Sequence, residues 1–324
     1  MRKAGLNGKS VMPMISGFAC AVPAIMSARS IENRKERLIT ILITPFMSCS
    51  ARLPVFTILI ALVIPQQYYF GFIGLQGLVM MMLYLFGLLI ALISAWVLKL
   101  LIKTKERSFF ILELPTYRSP RWKNIAITMA EKAKIFVLDA GKIIMIISLI
   151  LWGLSSYGPG DVMENVRQKY ETRAETGIKF SLEQEQAELL ENSYAGQIGK
   201  RIEPFISPLG YDWKIGIALV TSFAAREVFV GTMATLYSVG DTNDDDNATV
   251  REKMSAAVNS KGEKVYTLAT GVSLMIFYLL AMQCMSTLAV VKRETKSWKW
   301  PIIQLLYMSG LAYLFSFIAF RLLS

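Results

Sequence analysis

Residues 10–28 read SVMPMISGFACAVPAIMSA: small and apolar, yet interrupted by Pro13 and Pro23. A helix needs about 20 predominantly apolar residues to cross a bilayer, and this stretch is too short and too broken to do so. It reads as a re-entrant or broken helix. Non-helical backbone at membrane depth is tolerated only where protein or a water-filled cavity surrounds it. A second stretch of the same kind, TSFAAREVFVGTMA, lies at 221–234. Each is followed by a long apolar span with one cysteine among small or polar residues, in PFMSCSARLPV at 45–55 and AMQCMSTLAVV at 281–291. Paired interrupted segments in two halves of a chain point to a transporter's binding site.

The rest of the chain fits that reading. Of 324 residues, 54% are hydrophobic and 18% charged, against about 25% charged in soluble domains. Mean hydropathy is +0.43. Apolar runs at 38–64, 72–98, 135–157, 265–291 and 301–320 are read as spans, and 213–238 as a hairpin that enters and leaves by one side. The net charge of +11 is carried by residues flanking spans. The positive-inside rule accounts for it better than nucleic-acid binding does. The basic segments 29–37, 99–134 and 292–299 are therefore expected in the cytoplasm, and the acidic segments 158–212 and 239–264 outside. There is no histidine and there are three cysteines, Cys20, Cys49 and Cys284. A transition-metal site would have to use Cys, Met, Asp, Glu or backbone oxygen.

These segments resemble a known family. GFACAVPAIMSAR at 17–29 is similar to the first Gate motif of FeoB-type ferrous iron transporters, and PFMSCSARLPV continues it. ELPTYRSP at 113–120 resembles that family's cytoplasmic linker. GQIGKRIEPFISPLGYDW at 196–213, FAAREVFVGTM at 223–233 and CMSTLAVVKRETKSWKW at 284–300 resemble the second Gate and its lead-in. The resemblance implies an all-α polytopic membrane protein with two Gate repeats, related to concentrative nucleoside transporters and containing broken or re-entrant helices. It divides the chain into an N-terminally truncated first Gate domain at 1–98, a basic cytoplasmic linker at 99–134, a transmembrane helix at 135–157, a polar non-cytoplasmic insertion at 158–212, and a second Gate with C-terminal transmembrane helices at 213–324. It implies Fe²⁺ as transported substrate, no tightly bound cofactor, and a bacterial inner membrane. Its implied partners are the lipid bilayer, a G domain and small Feo-type accessory proteins, and a homo-oligomer is left open. Ala21, Ser50, Gln283 and Arg226 depart from the residues common at those positions. The family's G domain and phosphate loop are not recognised: Gly8-Lys9-Ser10 would need glycine at position 3, which is Lys3. The chain is thus read as a fragment or a split subunit, and not an enzyme by itself.

Iron(II) crossing lipid must exchange its water shell for ligands weak enough to release it. Thiolates and thioethers suit borderline metals, and carboxylates and carbonyls suit harder ones. Cys20 lies between Gly17 and Pro23, where a helix break would free carbonyls. Cys49 follows Pro45, with Pro54 beyond it, and Cys284 is flanked by Met282, Gln283 and Met285. The expectation is that the three thiols meet as a transient Fe²⁺ site, although a lone apolar cysteine is ordinarily a small buried residue. Glu227 joins them, because a carboxylate within an apolar segment is costly and by default functional. It reads as a metal ligand, a proton-coupled gate, or half of an ion pair with Arg226, Arg52 or Arg29. Asp139, near a span end, reads as interfacial. Met80, Met81 and Met82 fan around a helix and read as packing or lipid-facing residues. Asp241, Asn243, Asp245, Asn247 and Glu252 match calcium-loop spacing, but Asp246 stands where glycine is required. A cation-concentrating vestibule is the simpler reading there. The competing functions are a Gate-fold transporter of another solute, such as a nucleoside, and a non-transporting scaffold or truncated remnant.

Overall fold

The computed structural model describes residues 6–102 except 7 and 70–72, residues 192–238 except 224, 225 and 227, residues 264–324, and isolated positions between 122 and 189 and at 254. The expected linker, third span and acidic loop, with Asp139, fall largely or wholly outside the described residues.

The first half opens with α1 (Val11–Ala19) and α2 (Ala21–Ser27), which pack against each other across a single extended residue, Cys20. A 2.8 Å ion pair between Lys9 and Glu32 joins the two ends, so the pair is a hairpin, hairpin 1. Next comes a helix in two pieces, α3 (Arg34–Ile43) and α4 (Leu53–Val63), separated by the turns Thr44–Phe46 and Ser50–Arg52. The helix begins at Arg34, four residues before the apolar run. Asn33 is the reason: its side chain accepts from the amides of Lys35 and Glu36, supplying the oxygen that a helix start otherwise lacks. A two-residue antiparallel pair, β1 (Tyr68–Tyr69) and β2 (Ile73–Gly74), turns the chain into the unbroken α5 (Leu75–Leu101).

The second half repeats this order. After α6 (Tyr194–Ile206), α7 (Trp213–Ser222) and α8 (Val228–Ser238) pack on each other, with a 2.9 Å hydrogen bond between the hydroxyls of Thr221 and Thr232. They form hairpin 2. A second interrupted helix follows, α9 (Leu268–Leu280) and α10 (Met285–Thr295), and then the unbroken α11 (Lys299–Leu323). Among the described residues, four helical segments, 34–63, 75–101, 268–295 and 299–323, are long and apolar enough to cross a membrane.

The halves run in opposite directions. Arg29, at the base of hairpin 1, pairs with Glu294 at the end of α10 (2.6 Å). Val63, at the end of α4, lies against Gly271 near the start of α9, so closely that a Cβ there would overlap it. The α3–α4 helix is thus antiparallel to α9–α10, and the two hairpins enter from opposite ends. Small residues bring α9 and α11 together: each of Ser273 and Ser316 donates its hydroxyl to the other's carbonyl, at 3.1 and 3.0 Å, an association suited to lipid surroundings. Along α5 a stripe containing Met81, Met82, Leu85, Leu89, Ile93 and Trp96 is exposed, while Met80 packs inward.

Candidate functional site

Each cysteine immediately precedes a helix or a turn. Cys20 is the extended residue ahead of α2, Cys49 precedes the turn Ser50–Arg52, and Cys284 is the extended residue ahead of α10. All three are partly buried and none is in a disulfide. The prolines sit one step later than expected. Pro23 is in the first turn of α2, and Pro54 is in the first turn of α4, positions whose backbone amides have no helical partner in any case. Pro45 lies in the Thr44–Phe46 turn. These residues restart helices more than they break them. Gly17 does not break α1 either. A Cβ there would stand 3.0 Å from Cβ of Met47, so its bareness seats hairpin 1 against the first break.

The breaks and the hairpin tips meet within the bundle. Ser50 donates its hydroxyl to the carbonyl of Ala19 (3.0 Å), tying the tip of hairpin 1 to the first break. From the tip of hairpin 2, Arg226 donates Nη1 towards Sγ of Cys49 (3.9 Å) and Nη2 to the carbonyl of Ala281 (3.1 Å). One guanidinium therefore touches both breaks. Tyr278 holds hairpin 2 in place, donating to the hydroxyl of Ser222 (3.0 Å) while its ring packs on Phe229 at 4.7 Å. On the other side α2 packs on α10, bringing the hairpin that carries Cys20 to the helix headed by Cys284. Sγ of Cys284 lies 3.4 Å from the hydroxyl of Ser286.

Arg52 is 0% exposed. Its Nη1 donates to the carbonyls of Phe46 (3.3 Å) and Met47 (3.1 Å), and its Nη2 to that of Pro45 (3.0 Å). An ion pair with Glu227 was one expected role for it. Glu227 lies outside the described residues, and the donors of Arg52 go to these carbonyls. The carbonyls of Pro45, Phe46 and Met47 are thus engaged from within the break. Arg52 is also within electrostatic reach of Arg226, Cys49, Tyr84 and Cys284.

Among the described residues no group of three or more His, Cys, Asp or Glu side chains is gathered as for a metal ion. The three thiols are distributed along the hairpin–break contacts and not closed around one point. The polar neighbours that the sequence sets beside the cysteines complete the region. Ser48 and Gln283 are buried beside Cys49 and Cys284, and among the described residues Oγ of Ser48, Oε1 of Gln283 and Nε of both arginines have no hydrogen-bond partner. Their positions next to the cysteines were the available signal, but only the tertiary breaks show that they are turned inward.

A family model named Gate and described as "Nucleoside recognition" matches residues 1–63 and 137–298, more than half of the chain. A second, "Ferrous iron transport protein B C terminus", matches residues 80–132. A protein of Leptospira interrogans, "Fe(2+) transporter FeoB", is 41% identical over 323 residues, covering 99% of this chain and 44% of the relative. A Staphylococcus aureus protein of the same name is 37% identical over 323 residues, covering 99% and 42%. A Porphyromonas gingivalis "Fe(2+) transport protein A/Fe(2+) transporter FeoB fusion protein" is 35% identical over 334 residues, covering 99% and 38%. The chain spans less than half the length of these relatives. No solved structure matches it.

Proposed function

The chain belongs to the Gate family and aligns along 99% of itself with the membrane portion of FeoB proteins, and from that premise we propose that it forms the path by which Fe²⁺ crosses a bacterial inner membrane. The observation that carries this reading is the meeting of both interrupted helices at one hairpin tip, through Arg226, Cys49 and Ala281. A cation path through lipid needs non-helical backbone and polar side chains shielded by protein, and that is what surrounds this contact. The donor types are thiol sulfur and backbone or hydroxyl oxygen, a set that fits a borderline divalent ion. Cys20, Cys49 and Cys284 would serve it in succession as the hairpins shift, with Glu227 as a further ligand. The chain itself performs no chemistry on a nucleotide in this reading. A G domain and small accessory proteins act on it, an arrangement favoured by the relative that carries transport protein A in the same polypeptide. Fe²⁺ is cargo and no resident cofactor is required.

The test is uptake of radioactive Fe²⁺, kept reduced, into proteoliposomes holding the chain with a supplied G domain. Cys49→Ser is expected to lower uptake at least about tenfold, the factor that corresponds to 1.4 kcal/mol, and Cys20→Ser and Cys284→Ser to lower it by less. The description "Nucleoside recognition" favours a second reading, a nucleoside path. Labelled uridine in the same vesicles separates the two. Uridine uptake without Fe²⁺ uptake, or Fe²⁺ uptake indifferent to all three substitutions, overturns the proposal.

A further inference from the structure

Arg226 stands where a transported cation would. It lies at the tip of hairpin 2, is 6% exposed, and spans from Sγ of Cys49 in the first break to the carbonyl of Ala281 in the second. A buried guanidinium is costly unless it is well paired. Among the described residues the hydrogen-bond partners of its side chain are a sulfur and a carbonyl, and Nε has none. Sulfur with backbone oxygen is also a donor set for a borderline divalent ion. Among the described residues, two more buried acceptors without partners lie beside the cysteines of the two breaks in sequence, Oγ of Ser48 next to Cys49 and Oε1 of Gln283 next to Cys284. Arg52 differs: three carbonyls of its own break fix it, and among the described residues its hydrogen bonds stay within that break.

We propose that Arg226 is a tethered cation that closes the empty path, and that a divalent cation gains Cys49 and the Ala281 carbonyl only by displacing it. This rests on the reading that Cys49 lies on the cation path. It adds a gate: displacement breaks two contacts of the hairpin 2 tip together, one to each half, so binding releases the hairpin. It also adds selectivity. A monovalent ion brings no more charge than the guanidinium it would replace, whereas a divalent ion does. Arg226→Lys keeps the charge but gives up the fork that reaches two partners, so it closes the path less firmly. Arg226→Gln removes the competing charge.

The experiment uses the chain in lipid nanodiscs with Cd²⁺, a redox-stable thiophilic divalent ion. Protection of Cys49 from maleimide is followed by peptide mass spectrometry against Cd²⁺ concentration. Arg226→Gln is expected to lower the half-protecting concentration roughly tenfold, with Arg226→Lys in between. A second measurement needs no substitution: phenylglyoxal modification of Arg226 in the unaltered chain is expected to accelerate when Cd²⁺ is added. Equal half-protecting concentrations, or modification indifferent to Cd²⁺, overturn the tethered cation and leave the path intact. Absence of protection in every chain overturns the path as well. If Arg226→Gln does not fold, the phenylglyoxal result decides alone.

Discussion

Replacing Arg52 with methionine tests the account of the first break most directly. The side chain is 0% exposed and its donors fall on three successive carbonyls, those of Pro45, Phe46 and Met47. These are carbonyls that an unbroken helix would have satisfied, left over where α3 gives way to the 44–52 segment. Arg52→Met keeps the length and apolar bulk of the stem and removes every donor. Leaving a buried acceptor unpaired costs about 1–3 kcal/mol, so three cost about 3–9 kcal/mol. Removing a buried charge returns several kcal/mol of desolvation. The expected net loss is about 3 kcal/mol, at the lower end of what breaking a buried charged contact costs. Arg52→Lys, which retains the charge but not the fork, should lose about half as much. The measurement is equilibrium unfolding in mixed micelles, with amide exchange across residues 44–52. If Arg52→Met unfolds within about 0.5 kcal/mol of the parent, the range of an inconsequential surface change, and Met47–Cys49 exchange no faster, then Arg52 does not hold the break.

Three further outcomes follow from the packing. Gly271→Leu places a side chain where Val63 already sits, so thermal unfolding should show a loss of about 1–3 kcal/mol, partly restored by Val63→Ala. Arg29→Glu should weaken the tie between hairpin 1 and α10, and Arg29→Glu with Glu294→Arg should recover it. Arg29 is largely exposed, so the coupling in a double-mutant cycle should be no more than about 1 kcal/mol and should shrink with salt. Burial, opposed by its bond to the Ile215 amide, holds the Asp212 carboxyl above the usual carboxylate range. A raised folded-state value gives stability that is full below the unfolded value and lost as pH rises through the folded one. Asp212→Asn, neutral and still able to cap α7, should therefore be the more stable chain at neutral pH. Chemical unfolding should show that advantage vanish as pH falls into the ordinary carboxylate range.

The spans at 38–64, 72–98, 265–291 and 301–320 were legible because they are long and apolar, and the two cysteine-bearing breaks because small and polar residues interrupt them. Boundaries were less so. The start of α3 depends on one cap, Asn33, ahead of a charged run that hydropathy alone assigns to a loop. The prolines were read as breaks, whereas Pro23 and Pro54 sit in first turns, where a missing amide costs little. The break at 281–284 contains neither proline nor glycine. It is held by Arg226 drawing on the Ala281 carbonyl from 55 residues away in sequence, which no local pattern encodes. The partners of Arg52 lie within seven residues of it, yet they exist as acceptors only because the helix has stopped. Tertiary contacts thus decide which backbone groups are available, and the sequence marks only where they are needed.

The same order of hairpin, interrupted helix and plain helix, run in opposite directions, makes the two ends comparable and lets their strengths be weighed. At one end, among the described residues, the polar ties at the base of hairpin 1 are the ion pairs Lys9–Glu32 and Arg29–Glu294 and the buried hydroxyl pair of Ser10 with Thr40, beside a buried apolar contact of Ile25, Ala28 and Ile31 with Ile41 and Val291. At the other, the base of hairpin 2 begins at Tyr211, whose hydroxyl lies 3.0 Å from that of Ser273, itself locked to Ser316. Nearby, Gly210 adopts φ 79° with the Phe320 ring where its side chain would be. Exposed pairs contribute about 0–1 kcal/mol each, whereas a buried satisfied network resists opening as a unit. Graded by these polar ties, hairpin 1 should detach at the lower free energy, because exposed ties resist local opening least. Amide exchange in nanodiscs should be faster across 9–32 than across 207–222. The reverse order would mean that the ends are not graded by these contacts, and the asymmetry would have to come from residues 99–192, between the halves.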